Sequence, residues 1–80
     1  MPDRRIVTMI AEHQQKTGEL LPLNSLLLLN LLKQGRRMTT EAINKELNLS
    51  EGKVRATAER LAEAGLLEAI GNGRGRTYVL

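Results

Sequence analysis

Eighty residues make one domain, near the lower end of what a single core holds without staples. The absence of cysteine excludes a disulfide framework and a thiolate metal site and reads as a cytoplasmic protein, while Tyr78 as the one aromatic leaves the core to Leu, Ile, Val, Met and Ala. A formal charge of +3, from 12 Lys and Arg against 9 Asp and Glu, is compatible with a polyanionic partner but excludes a polybasic arm.

In chain order, Asp3 suits the N-cap of a first helix whose apolar stripe is Ile6, Val7, Ile10 and Ala11, with Arg4, Arg5, Glu12, Gln14 and Gln15 facing water. The pattern fades near Lys16-Thr17-Gly18, so residues 1–18 form an N-terminal helical extension. It reads as the end of a preceding domain, and the chain is expected to be a fragment of a longer protein. His13 falls on the polar side of this helix as an exposed residue. With no second histidine, no cysteine and no paired carboxylates at usable spacing, neither a metal site nor a catalytic triad can be assembled. No enzymatic activity, cofactor or metal is expected of this chain.

Leu20-Leu21-Pro22-Leu23 leads into a second helix that starts near Asn24 or Ser25 and stops at Gly35. Pro22, Asn24, Ser25 and Asn30 interrupt the leucine run, which is too short and too polar to span a bilayer or act as a signal peptide. Leu23, Leu27 and Leu31 mark one face, Leu26 and Leu29 point away from it, and Leu28 and Leu32 flank it. A helix apolar nearly all round must be covered on more than one side. Either the neighbouring helices cover it, or Leu26 and Leu29 form the face of a homodimer.

Thr39 or Thr40 then caps a short helix with Ala42, Ile43 and Leu47 as its stripe and Glu41 near its positive end. Asn48-Leu49-Ser50 breaks it, and Ser50 caps a further helix in which Val54, Ala58, Leu61 and Ala62 recur at buried spacing until Gly65. Residues 66–70 and 76–80 read as two strands joined by Gly71-Asn72-Gly73-Arg74-Gly75, a loop suited to a hairpin. Because a strand follows these glycines, they are not a phosphate-binding loop, which requires a helix there. The fold class is therefore mainly α with a small β-hairpin.

Two helices at this spacing followed by a basic-tipped hairpin resemble the winged helix-turn-helix family of DNA-binding domains, over Leu23 to Leu80. Residues 19–80 form that domain and residues 1–18 its extra helix, with Met38 as the short first strand. The ending Ala69 to Leu80 is similar to the terminal winged-helix module of bacterial RecG-related helicase-like proteins, and a similar module closes some Fic-type proteins. The resemblance implies double-stranded DNA as partner, in transcriptional control or in a larger helicase-like parent. It puts the second helix of the pair in the major groove and the wing on the minor groove or backbone.

By that resemblance the contacts are Ser50, Lys53, Arg55, Ala56, Thr57 and Arg60 on the helix, and Arg74 and Arg76 on the wing. Arginine can read guanine with two hydrogen bonds, while Lys53 and Ser50 suit phosphates. Lys33, Arg36 and Arg37 around Gly35 are either a backbone clamp or a solvated loop. Tyr78 is either a base-stacking ring or, as its place in a strand suggests, core. Glu51, Glu59 and Glu63 repel phosphates, and Glu59 with Arg55 or Lys53 and Glu63 with Arg60 are candidate intrahelical ion pairs. These carboxylates motivate a second expectation, a protein-interaction or dimerisation module that does not touch DNA.

Overall fold

Regular structure begins at a side-chain cap. Asp3 has extended backbone, and its carboxylate accepts from the Arg5 amide at 2.8 Å, satisfying one free donor of α1 (Arg4–Thr17). Gly18 closes α1 in the left-handed conformation (φ 73°) and returns its N–H to the Gln14 carbonyl. The computed structural model describes residues 3–22 and 24–80, with Gln34 and Arg74 described by their backbone alone.

The buried stripe of α1 is rotated from the expected one. Ile6 is buried, Met9 and Ile10 pack partly against the core, and the His13 side chain is only 13% exposed, whereas Val7 and Ala11 face out. Residues 6, 9, 10 and 13 follow i, i+3, i+4, i+7, which makes His13 part of the packed side rather than an exposed surface group. Asp3 N donates to Oδ1 of Asn30 at 2.9 Å, so the start of α1 lies beside the end of α2 (Ser25–Leu32) and the two run antiparallel.

In α2 the core face is Ser25, Leu28, Leu29 and Leu32, not the face carrying Leu27 and Leu31. Leu27 is 50% exposed, Leu26 and Leu31 are half-buried, and Leu23 lies outside the described residues. An octamer apolar on every side has no phase of its own, so its neighbours α1, α3 and α4 decide which leucines go in. Leu29, expected on a dimer face, is fully buried and cannot serve there.

A 3₁₀ turn over Lys33–Gly35 leads into β1 (Met38–Thr39), the expected short strand. Thr39 caps α3 (Thr40–Leu47) by accepting from Ala42 N at 3.2 Å. Asn48 ends α3 in the left-handed region (φ 55°, ψ 41°), a conformation that asparagine tolerates better than most residues. Ser50 caps α4 (Glu51–Glu63) by accepting from Lys53 N at 3.3 Å. Beyond Ala64, Gly65 (φ 79°) donates to the Ala62 carbonyl and Leu66 to the Leu61 carbonyl, the paired bonds of a Schellman stop.

β2 (Glu68–Ile70) and β3 (Thr77–Val79) form the expected hairpin, through a 3₁₀ turn at Gly73–Gly75. The sheet is antiparallel with order β1-β3-β2, and Tyr78 pairs with Met38 on one side and Ala69 on the other. Tyr78 is core as its strand position suggested: at 1% exposure it is the largest fully buried side chain, packed with Leu28, Leu29, Leu32, Ile43, Val54, Ala58 and Leu61. The described residues are thus mainly helical with a small three-stranded sheet, and none of their helices is long and apolar enough to cross a membrane.

Candidate functional site

An open hollow of about 710 Å³ lies between the start of α3, the outer side of α4 and the β2–β3 hairpin. Its walls include Thr40 and Glu41 from α3, Glu51, Arg55 and Glu59 from α4, and Arg76 from the hairpin. Caps at Thr39 and Ser50 bring both helix N-termini to this side, because each cap fixes the entry of its helix.

Glu59 is the fixed point of the hollow. Its Oε1 accepts from the Tyr78 hydroxyl at 2.9 Å, and its Oε2 accepts from Nη2 of Arg76 at 3.0 Å. Nε of Arg76 is 2.9 Å from Oε1, a charge contact only, since Nε makes no hydrogen bond. The guanidinium carbon of Arg76 also lies 5.9 Å from the Tyr78 ring centre, within cation–π range. Burial, followed by the Glu59 carboxylate, raises the Tyr78 hydroxyl above its ordinary pKa. These contacts tie the hairpin to α4 and leave Arg76, expected as a wing cation, largely neutralised by Glu59.

The expected intrahelical pairs of α4 do not form. Glu59 turns to the hairpin instead of to Arg55 or Lys53, and Arg60 reaches back to the α1–α2 connection. There its Nη2 donates to the Leu20 carbonyl at 3.4 Å and its Nε is 3.9 Å from Oε1 of Glu19, which also lies 3.7 Å from Nε2 of His13. Among the described residues, Lys53 and Arg55 are exposed and make no ion pair.

Of the other expected contacts, Ser50 and Ala56 are exposed. Gly52 has open space around the position of an added Cβ, so the outer side of α4 is low and accessible at its start. Thr57, expected as a DNA contact, is instead 5% exposed and packs on the core side of α4. It follows Val54 by three residues and precedes Ala58 and Leu61, so the helical period alone placed it inward. The Arg74 side chain lies outside the described residues. Arg36 and Arg37 are exposed, while Lys33 is half-buried and lines a smaller hollow with Asp3 and Arg5, away from α4. The Glu59 anchor escaped the sequence reading, because its partners are 17 and 19 residues further along the chain.

Among the described residues no three His, Asp or Glu side chains come together as a metal site. Compared with family models, with curated proteins and with solved structures, the chain gives no match.

Proposed function

We propose that this chain is a winged helix-turn-helix module that binds double-stranded DNA, with α4 in the major groove and the β2–β3 hairpin as the wing on the backbone. The observation that carries the reading is the order α2, β1, α3, α4, β2, β3, in which a short strand at Met38, two capped helices and a hairpin follow one another, and it supports the resemblance of residues 19–80. Further support is the exposed outer side of α4, where Gly52 and Ala56 leave room for a base edge and Lys53 and Arg55 carry unpaired charge. Arg55 then reads bases, Lys53 and Ser50 hold phosphates, and Arg74 supplies charge at the tip. The resemblance of the ending Ala69 to Leu80 favours a RecG-related parent, and the absence of cysteine a cytoplasmic one.

Fluorescence anisotropy of a labelled mixed-sequence duplex, titrated at low and then at physiological salt, tests the reading. Binding that weakens steeply with salt is expected. A folded sample that leaves the duplex unbound at low salt overturns it.

A second reading is favoured by Glu41, Glu51 and Glu59 around the hollow, which disfavour phosphates there. It makes the module a protein-interaction or dimerisation unit. Light scattering that gives twice the chain mass, lost on Leu26→Lys and unaccompanied by duplex binding, would select it over DNA.

A further inference from the structure

The charge of this protein is unevenly placed. Residues 38–80 carry six Lys and Arg against six Glu and are neutral, so the whole formal charge of +3 resides in residues 1–37. Of the six cations in that first part, five lie at Arg4, Arg5, Lys33, Arg36 and Arg37. In the sequence they form two pieces separated by some thirty positions. The antiparallel packing of α1 on α2 brings the pieces to one end of the molecule.

Three observations fix that juxtaposition. Asp3 N donates to Asn30 Oδ1 at 2.9 Å, setting the first turn of α1 beside the last turn of α2. Arg5 and Lys33 line the same hollow of about 220 Å³, together with Asp3 and Leu80. The antiparallel register Met38↔Tyr78 then sets Arg37 opposite Val79, next to the Leu80 that lines this hollow. Arg4, Arg5, Arg36 and Arg37 are exposed and Lys33 is half-buried.

Two carboxylates face this group. Asp3 is 3.3 Å from Arg5, where it also caps α1, and hydrogen bonds from Arg5 hold it below the usual carboxylate pKa, with the charge of Lys33 adding to them. Glu68 pairs with Val79, so it stands two strands away at the same end of the sheet as Arg37. Five cations against two carboxylates leave a surplus of three, equal to that of the entire chain. By contrast, the hollow beside α4 has Glu41, Glu51 and Glu59 against Arg55 and the already paired Arg76.

We infer that the principal phosphate-binding surface of this protein is the cluster Arg4, Arg5, Lys33, Arg36 and Arg37 at the α1–α2 end, and that its partner is the backbone of duplex DNA. The inference rests on the DNA-binding reading and relocates most of the affinity away from α4 and the hairpin. On this division α4 contributes sequence preference and the α1–α2 end contributes sequence-independent affinity. It also gives the N-terminal helix a binding role in addition to its packing one.

Salt dependence separates the surfaces, since each neutralised phosphate contributes about 0.9 to the slope of log K against log salt. The comparison uses the full chain and a labelled mixed-sequence duplex, with three proteins: wild type, Lys33→Gln/Arg36→Gln/Arg37→Gln, and Lys53→Gln/Arg55→Gln. The triple variant is expected to lose about 3 units of slope, and the double variant less than about 2. Arg4→Gln/Arg5→Gln, which retains the Asp3 cap, is expected to lose about 2 more in the triple background. Unchanged thermal midpoints confirm that the variants keep the fold. If wild type binds and the triple variant keeps its slope while the α4 variant loses it, the cluster is overturned and DNA binding stands. If wild type fails to bind duplex, both are overturned. Capture by vesicles of anionic phospholipid in place of duplex would likewise overturn the assignment to nucleic acid.

Discussion

The hydroxyl of Tyr78 donates to Oε1 of Glu59 at 2.9 Å, joining the middle of β3 to the outer side of α4. Arg76, two residues before Tyr78, holds the other carboxylate oxygen at 3.0 Å. Tyr78→Phe keeps the ring in the core and removes only the donor, so it is expected to cost about 1 kcal/mol. For a domain of this size that lowers the thermal midpoint by about 4–8 °C. If the midpoint is unchanged, the bond contributes nothing to stability. Adding Arg76→Ala should then cost more than it does in wild type, as a double-mutant cycle would read.

The same hydroxyl makes stability fall in alkali. Burial and the Glu59 carboxylate favour its protonated form, raising the folded pKa above the ordinary value of 10.0. The folded state therefore holds its proton longer than the unfolded chain, and this contribution is complete below the unfolded pKa. It is lost as pH rises through the folded value. Thermal midpoints from about pH 9 to about pH 12 are expected to fall more steeply for wild type than for Tyr78→Phe. Parallel curves would contradict the assignment.

Leu29→Ala is expected to destabilise by about 2–5 kcal/mol, the range for a fully buried leucine. Leu27→Ala, on the half-exposed side of the same helix, should stay within about 0.5 kcal/mol. Urea unfolding of both variants checks the rotation of α2, and equal losses would mean that the buried face is wrongly placed.

What could be read from the sequence here was local. The caps at Asp3, Thr39 and Ser50, the stop at Gly65 and the hairpin glycines each depend on a few neighbouring residues, and all appear where the chain implied. The leucines of α2 face otherwise than expected because a nearly uniform apolar segment orients itself only weakly. Val7 and His13 exchanged sides for a related reason: α1 has apolar residues on two adjacent rows, and packing on α2 selected Ile6, Met9 and Ile10. Thr57 is inward by its spacing from Val54 and Leu61 alone, with no need of tertiary packing to place it. The Glu59 pairings and the meeting of Arg5 with Lys33 depend on how distant segments pack, which no local pattern encodes.

Asn48 is the one described non-glycine residue with a left-handed backbone, and it lies in the turn between α3 and α4. Asn48→Ala is expected to cost about 1–2 kcal/mol, because a Cβ without a compensating side-chain amide is strained there. Asn48→Gly should be close to neutral. Chemical denaturation compares them, and equal stability of all three proteins would argue against strain at the turn.

Arg55→Ala is expected to alter which duplexes are preferred, with a discrimination of about 1–3 kcal/mol lost at one base pair. Lys53→Ala should weaken every duplex alike. Selection from a randomised duplex pool reads both, and a uniform loss for Arg55→Ala would overturn the proposed readout role.

Tyr78 is the single aromatic ring of the chain and lies wholly inside it. Near-ultraviolet circular dichroism of this protein therefore arises at one point, the junction of β3 with α4. The far-ultraviolet spectrum reports the helices instead. A compact state with retained helices and unfixed packing would erase the first signal and keep the second. Two spectra of one unlabelled sample thus separate loosening of the sheet from melting of the helices.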